Sequence, residues 1–413
     1  MNPVLTDAAL NTAALNTAAP CTIYLNACGI VCALGDSHAD IRRRLFAGES
    51  GVAPTDAWSP GRTLALGRVR ASLPPLDALP LAERSRNNQL ALGALAQIRA
   101  AVDAAVARYG PERVGVVIGT STSGILETEA ALQAASDGHA LPGAFHYAQQ
   151  EMGSAADMLA REVGAGGPAY AHSSACASAA KAMASAARLI RMGLCDAVVT
   201  GGVDTLCRFT VAGFSALESV SAAPCNPLSA NRNGINIGEG AALFLMTREP
   251  AAVALRGWGE ASDGYHISAP DPAGSGARLA IGEALARAGI QAAQIDYINL
   301  HGTATAQNDA MESRVVHDLF GAQVALSSTK PLTGHTLGAA AAIEAALCWL
   351  AMQDDNPQGC LPPHVWDGVA DPALPQLNLA TIGARLGRPL DWALSSSFAF
   401  GGSNAALVLG RAP

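Results

Sequence analysis

The chain has 413 residues, half of them hydrophobic and only 15% charged, with a formal net charge of -8. That composition excludes a disordered or fibrous protein and a general nucleic-acid binder. The length exceeds what one core ordinarily serves, so two domains or two fused halves are expected.

The opening residues 1–20, MNPVLTDAALNTAALNTAAP, repeat AALNTA and carry neither a basic n-region nor a long apolar core. They read as a frayed tail, not a leader. No apolar run reaches the length of a bilayer span by this reading, so no membrane span is expected. Nine cysteines lie without disulfide or metal-ligand spacing, the closest pair being Cys28 and Cys32. Reduced thiols in a cytoplasm, with no metal, are the expectation. Arg42, Arg43 and Arg44, then Arg62, Arg68 and Arg70, and later Arg208, are the basic residues available to an acidic partner. Each group reads equally as a solvated face.

From residue 21 onward apolar strand-like runs alternate with helix-like stretches, the pattern of an α/β protein. VGVVIG (114–119) and DAVVTGGVD (196–204) read as strands buried on both faces. The GTSTSG run at 119–124 lacks the Gly-Lys-Ser/Thr signature and is not read as a phosphate loop. In AHSSACASAAKAMASAARLIRMG (171–193) the segment 177–192 is expected to be helical, with Arg188 and Arg191 in its last turn and Gly193 closing it. Cys176 stands at its start. A thiol there faces unpaired N–H groups and the positive end of the helix dipole, which favour thiolate and can hold an oxyanion. Alone, such a cysteine is more often a small buried hydrophobe.

A short repeat suggests duplication. GEGAALFLM (238–246) and GGSNAALVLG (401–410) share a glycine turn followed by AAL-x-L, and SSACASAAKAM (173–183) is echoed by TGHTLGAAAAIEAAL (333–347). A tail over 1–20 and two α/β halves over 21–250 and 251–413 fit both echoes.

The second half supplies the partners. IDYINLHGTATAQNDAMES (295–313) reads as a strand delivering His301 into a Gly-Thr turn, then a helix from about Asp309 with Glu312 in its first turn. Thr303 and Thr305 would place two hydroxyls on one side. In STKPLTGHTLGAAAAIEAAL (328–347), Lys330 and His335 bracket a rigid Pro-Leu-Thr-Gly turn. In SSSFAFGGSNAALVLG (395–410), Phe400 precedes two glycines and offers its N–H as a second oxyanion donor, while Phe398 reads as core. One cysteine, two histidines, a lysine and a glutamate form a set able to transfer an acyl group through a covalent thioester.

These motifs, SACAS, HGTAT, STKPLTGH and FAFGGSN in that order, resemble the β-ketoacyl-acyl carrier protein synthases, elongating condensing enzymes of the thiolase superfamily. The resemblance implies a five-layered αβαβα fold of two similar halves, a homodimer or heterodimer, and an acyl carrier protein as partner. It implies decarboxylative condensation of an acyl thioester with a malonyl thioester in fatty acid, polyene or polyketide synthesis, with no cofactor beyond the carrier's phosphopantetheine arm. Cys176 would accept the acyl group. His301 and His335 would bind the malonyl carbonyl and stabilise the enolate, and Lys330, paired with Glu312, would hold the electrostatics. Backbone N–H groups of Cys176 and Phe400 would form the oxyanion hole, Phe400 would gate, and Thr303 and Thr305 would contact the phosphopantetheine. Asn233 replaces the family's usual Asp, Ala341 a common Gly, and Ala179 a frequent Gly, which favours a specialised pathway over housekeeping synthesis. The final glycine turn lacks a thiolase's second cysteine. A cavity-shaping, non-catalytic partner subunit is the alternative, and Cys176 weighs against it.

Overall fold

The computed structural model describes residues 22–412; the tail expected over 1–20 lies outside them. The first half runs β1 (Ile23–Val31), α1 (His38–Phe46), β2 (Ala53–Thr55), β3 (Leu64–Leu66), α2 (Arg86–Tyr109), β4 (Val114–Gly119), α3 (Ile125–Ser136), α4 (Ser154–Val163), β5 (Ala169–His172), α5 (Ser178–Arg191), β6 (Ala197–Asp204), α6 (Arg208–Ala216) and β7 (Gly240–Thr247). The second runs β8 (Val253–Ser262), α7 (Ser275–Ala288), β9 (Tyr297–Asn299), α8 (Ala306–Phe320), β10 (Ala325–Ser327), α9 (Lys330–Thr333), α10 (Ala340–Ala351), β11 (Asn378–Leu379), β12 (Trp392–Ala399) and β13 (Ser403–Arg411).

The duplication is visible in strand order. The first half pairs β5-β4-β6-β7-β1 and the second β10-β9-β12-β13-β8, with β11 added at the outer edge. Each set is parallel through its first three strands and antiparallel through its last two joins. The matched strands also come in the same chain order, so β7 and β13, which carry the repeated AAL-x-L, are equivalent. Two residue pairs between β1 and β8 join the halves into one hydrogen-bonded sheet.

Five layers follow from which faces are apolar. α2 and α4 pack on one face of the first set of strands, and α7 and α8 on the outer face of the second. Between the two sets lie α5 and α10. A helix enclosed by strands on two sides needs small side chains, and α5 buries Ala179, Ala180, Ala182, Ala184, Ala186 and Ala187. The approach is closest at Gly119 and Gly202. A Cβ built on Gly119 would fall 2.3 Å from the Ala179 nitrogen, and one on Gly202 2.6 Å from the Ala179 Cβ.

α2 corrects the expectation that no apolar run reaches bilayer length. Its 24 residues are long and apolar enough to cross a membrane. Its buried positions Ala91, Ala94, Ile98, Val102 and Ala105 recur every three or four residues and pack on β1, β6 and β7, the pattern of a helix lying on a sheet.

Candidate active site

α5 and α10 occupy equivalent places in the repeat, and each is preceded by a residue of the expected set. Cys176 follows β5 through a tight turn in which Ala175 takes φ +48°, a conformation that costs a non-glycine residue on the order of 1 kcal/mol. The turn is held by Ser178, whose hydroxyl accepts from the Ser174 N–H at 2.9 Å and donates to the Ala175 carbonyl at 2.6 Å. The expected helix over 177–192 is observed as Ser178–Arg191, with Gly193 in the left-handed region just beyond it.

His335 reaches the thiol from the opposite half. Its Nε2 lies 3.1 Å from the Cys176 Sγ. The His335 backbone is fixed by the segment following Asn233, in which the sequence marked only that departure and the repeat that begins at Gly238: its N–H donates to the Asn236 carbonyl at 2.6 Å, and its carbonyl accepts from Gly238 at 2.9 Å. The same segment reaches the other histidine loop, where the Gly234 N–H donates to the Ala304 carbonyl at 2.9 Å.

His301 follows β9. Its ring meets that of His335 edge to face at 5.3 Å and that of Phe398 at 6.1 Å. Phe398, expected to be core, is buried but also lines the cavity. Glu312 holds the His301 turn: its two carboxylate oxygens accept from the His301 and Gly302 N–H groups, each at 2.7 Å. Asn308 and Ser396 donate to it as well. The expected pairing of Glu312 with Lys330 is therefore not formed. Lys330 pairs instead with Glu344 of α10, and its Nζ lies 3.5 Å from the His301 Nδ1. The physical reason is the earlier start of α8, at Ala306 rather than near Asp309. That puts Glu312 almost two turns in, where it reaches back to the backbone of residues 301 and 302. Glu344 carried its own signal, as the one charged residue in LGAAAAIEAALCWLAM (337–352). A carboxylate there must be paired.

Thr303 and Thr305 do share a side, their hydroxyls 2.9 Å apart. Phe400 sits in the turn after β12, before Gly401 and Gly402, both at positive φ. Its ring packs on that of Phe214 at 5.5 Å. Cys176, His301, His335, Thr303, Thr305, Phe398 and Phe400 line one cavity of about 280 Å³, together with Phe214, a residue the sequence did not single out. Lys330 and Glu312 stand behind its wall.

Electrostatics follow from burial. Loss of water pushes the Cys176 thiol up to about 12, with Lys330 opposing and Asp204 and Glu344 adding to the rise. The helix start, which favours thiolate, opposes this push. Burial, then the Lys330 ammonium and the His335 ring, hold His301 well below the usual imidazole range, and burial and Lys330 do the same to His335. The resting site thus holds a thiol and two neutral imidazoles. The thiol sulfur and one nitrogen of each imidazole all lie within 4.8 Å of one another. One reacting atom can be addressed by all three.

In a thiolase-like fold of two similar halves, a buried thiol served by two neutral imidazoles and a buried ammonium equips a condensing enzyme, one that transfers an acyl group and forms a carbon–carbon bond. Residues 22–252 match the family model described as the β-ketoacyl synthase N-terminal domain, and residues 252–365 that of its C-terminal domain. The chain belongs to the β-ketoacyl synthase family.

Its relatives include the 3-oxoacyl-[acyl-carrier-protein] synthase 2 of Rhizobium meliloti (strain 1021), 37% identical over 59% of this chain and 61% of that protein. Nodulation protein E of Rhizobium sp. (strain N33) is 30% identical over 94% of this chain and 98% of the relative. Among solved structures, a chain of the complex of the ketosynthase ApeO with its chain length factor ApeC, from Xenorhabdus doucetiae, matches with a TM-score of 0.88 and 46% identity, covering 95% of this chain and 98% of that one.

Proposed function

We propose that this ketosynthase condenses a carrier-bound acyl chain with a malonyl group on an acyl carrier protein, and that it does so in a specialised polyene or polyketide pathway. The observation that carries the reading is the 3.1 Å contact between the Cys176 Sγ and the His335 Nε2, both lining the cavity. A neutral imidazole at that distance accepts the thiol proton as sulfur attacks the acyl thioester. The acyl carbon–sulfur bond to the carrier arm breaks, and the carrier leaves as a thiolate that takes its proton from water, while His335 keeps the thiol proton on Nε2 for the enolate and returns it to Cys176 when the cycle closes. The malonyl thioester then enters, and its carboxylate departs as CO₂. His301 and His335 hold the enolate oxygen, and the α-carbon attacks the acyl group on Cys176, which leaves as thiolate. Backbone N–H groups of Cys176 and Phe400 serve the oxyanion, and Thr303 and Thr305 the phosphopantetheine amides. Removing one such oxyanion donor costs on the order of 10²–10³ in rate. Lys330, with Glu344, keeps a positive charge beside His301, and Glu312 fixes the His301 turn. No cofactor beyond the carrier-borne arm enters this scheme.

Arg42, Arg43 and Arg44 are engaged with Asp355, Asp40 and Glu49. Arg62, Arg68, Arg70 and Arg208 are exposed, on segments that pack beside Phe214. These four are the basic residues assigned to the acidic carrier. A cytoplasmic heterodimer with a related ketosynthase-family homologue is the assembly proposed, supported by the ketosynthase–chain length factor complex to one chain of which this chain is 46% identical.

The test mixes purified protein with acyl- and malonyl-carrier proteins, following intact mass and CO₂ release. An acyl adduct on Cys176 followed by CO₂ and a chain two carbons longer is expected. A chain that never loads Cys176 ends this reading.

A further inference from the structure

The loop GTSTSG after β4 occupies the place in the first half that the His301 loop, after β9, occupies in the second. Five of its donors turn to one carboxylate. Asp204, the last residue of β6, is fully buried. It accepts from the Thr120 hydroxyl at 2.8 Å, the Ser121 N–H at 2.7 Å, and the Thr122 N–H and hydroxyl, each at 2.9 Å. The Ser121 hydroxyl also donates to it. The sixth donor comes from the other half: the Gly338 N–H, three residues beyond His335, at 2.5 Å. No side chain fits between them, since a Cβ on Gly338 would fall 2.7 Å from both the Asp204 Oδ2 and the Ser121 nitrogen. Leu337, next in line, is held at φ +49°. The start of α5 rests on the same floor, through the contacts of Ala179 with Gly119 and Gly202.

We infer, on the reading of the site given above, that Asp204 is a positioning residue that sets the register of His335 against Cys176. The thiol and the imidazole lie 159 residues apart in sequence and come from different halves. Asp204 binds, through one carboxylate, the first-half loop beneath α5 and the second-half segment that carries His335. A reacting pair misplaced by a fraction of an ångström loses its near-attack geometry, so such a tie acts on the chemical step and not on substrate affinity. The charge that makes this tie strong also acts on the thiol. Asp204 adds to the upward push on Cys176, so its register is gained at the expense of thiolate.

Those two effects separate in an experiment on the full-length enzyme. Asp204→Asn removes the charge and presents an NH₂ group where two donors now point. Condensation kcat is expected to fall by about tenfold or more with KM for malonyl carrier within about twofold. At the same time the rate of alkylation of Cys176 by iodoacetamide at about pH 9, read by intact mass, should rise above that of the parent. Gly338→Ala keeps the charge but pushes the tie apart, so kcat should fall without that rise. Ser121→Ala deletes a single half-buried donor and, should Asp204→Asn not fold, is expected to lower kcat by about threefold or more. Wild-type kcat in Asp204→Asn or in Ser121→Ala overturns the inference, as does an alkylation rate in Asp204→Asn, at that same pH, that stays at or below that of the parent. Failure of the parent enzyme to load Cys176 at all would instead count against the ketosynthase reading.

Discussion

Lys330 and Glu344 form an ion pair sealed inside the protein, their side chains 2% and 3% exposed, with the ammonium 3.5 Å from the His301 ring. A buried pair of this kind gains little over an apolar pair, but breaking it strands the remaining charge. Glu344→Gln is therefore expected to lose about 3 kcal/mol or more of stability, read by urea unfolding. Glu312→Gln should lose less stability, because its partners are neutral N–H groups and a hydroxyl. It should still lower condensation kcat, since an amide cannot accept from both the His301 and Gly302 N–H groups. Equal stability loss in the two variants would contradict this division.

The thiol and the imidazoles divide the two half-reactions. Cys176→Ala should abolish acyl transfer. Cys176→Gln should retain malonyl decarboxylation without transfer, because its amide stands where an acyl group would. CO₂ release from malonyl carrier protein, measured with circular dichroism as a control for folding, checks the pair. A folded Gln variant that releases no CO₂ would argue that decarboxylation does not reside on His301 and His335.

The protonation state of Cys176 has a sign that alkylation reveals. With the thiol pushed up to about 12 by burial, the thiolate fraction keeps growing with pH across the accessible alkaline range. The rate of carbamidomethylation of the unloaded enzyme should climb about tenfold per pH unit from pH 7 to 10 without a plateau, whereas a free thiol levels off above about 8.5. A plateau near pH 8 would falsify the burial argument and restore the helix start as the dominant influence.

Carrier docking predicts a contrast between two arginine groups. Arg68→Glu, Arg70→Glu and Arg208→Glu are each expected to raise KM for the carrier several-fold at low salt, with the difference shrinking as salt is added. Arg43→Glu should leave KM unchanged, since Arg43 is engaged with Glu49 and Asp40. Steady-state kinetics at two ionic strengths separates them.

Much of this architecture was legible because buried parallel strands read as unbroken apolar runs and catalytic turns read as glycine-flanked motifs. The boundaries of β4 and α5 follow from composition to within a residue, and the thiol and both histidines follow from motif order. Tertiary pairing was not legible. The apolar setting of Glu344 shows locally that it must be paired, but not that its partner is Lys330; that choice depends on where α8 begins and on α10 lying beside α9. The burial that opposes the helix start at Cys176 was not legible for a related reason. A helix start is visible in sequence, whereas the depth at which the fold buries it is not. Asp204 and the backbone support from Asn236 and Gly238 were hidden because each acts across the halves.

The equivalence of α5 and α10 has a consequence for ancestry. In a dimer of identical units, the residues ahead of the two central helices would have to be the same, giving two thiols or two imidazoles facing each other. Joining the units in one chain lifts that constraint. Each copy can then specialise, so the nucleophile and its proton acceptor meet as unlike residues at what began as like positions.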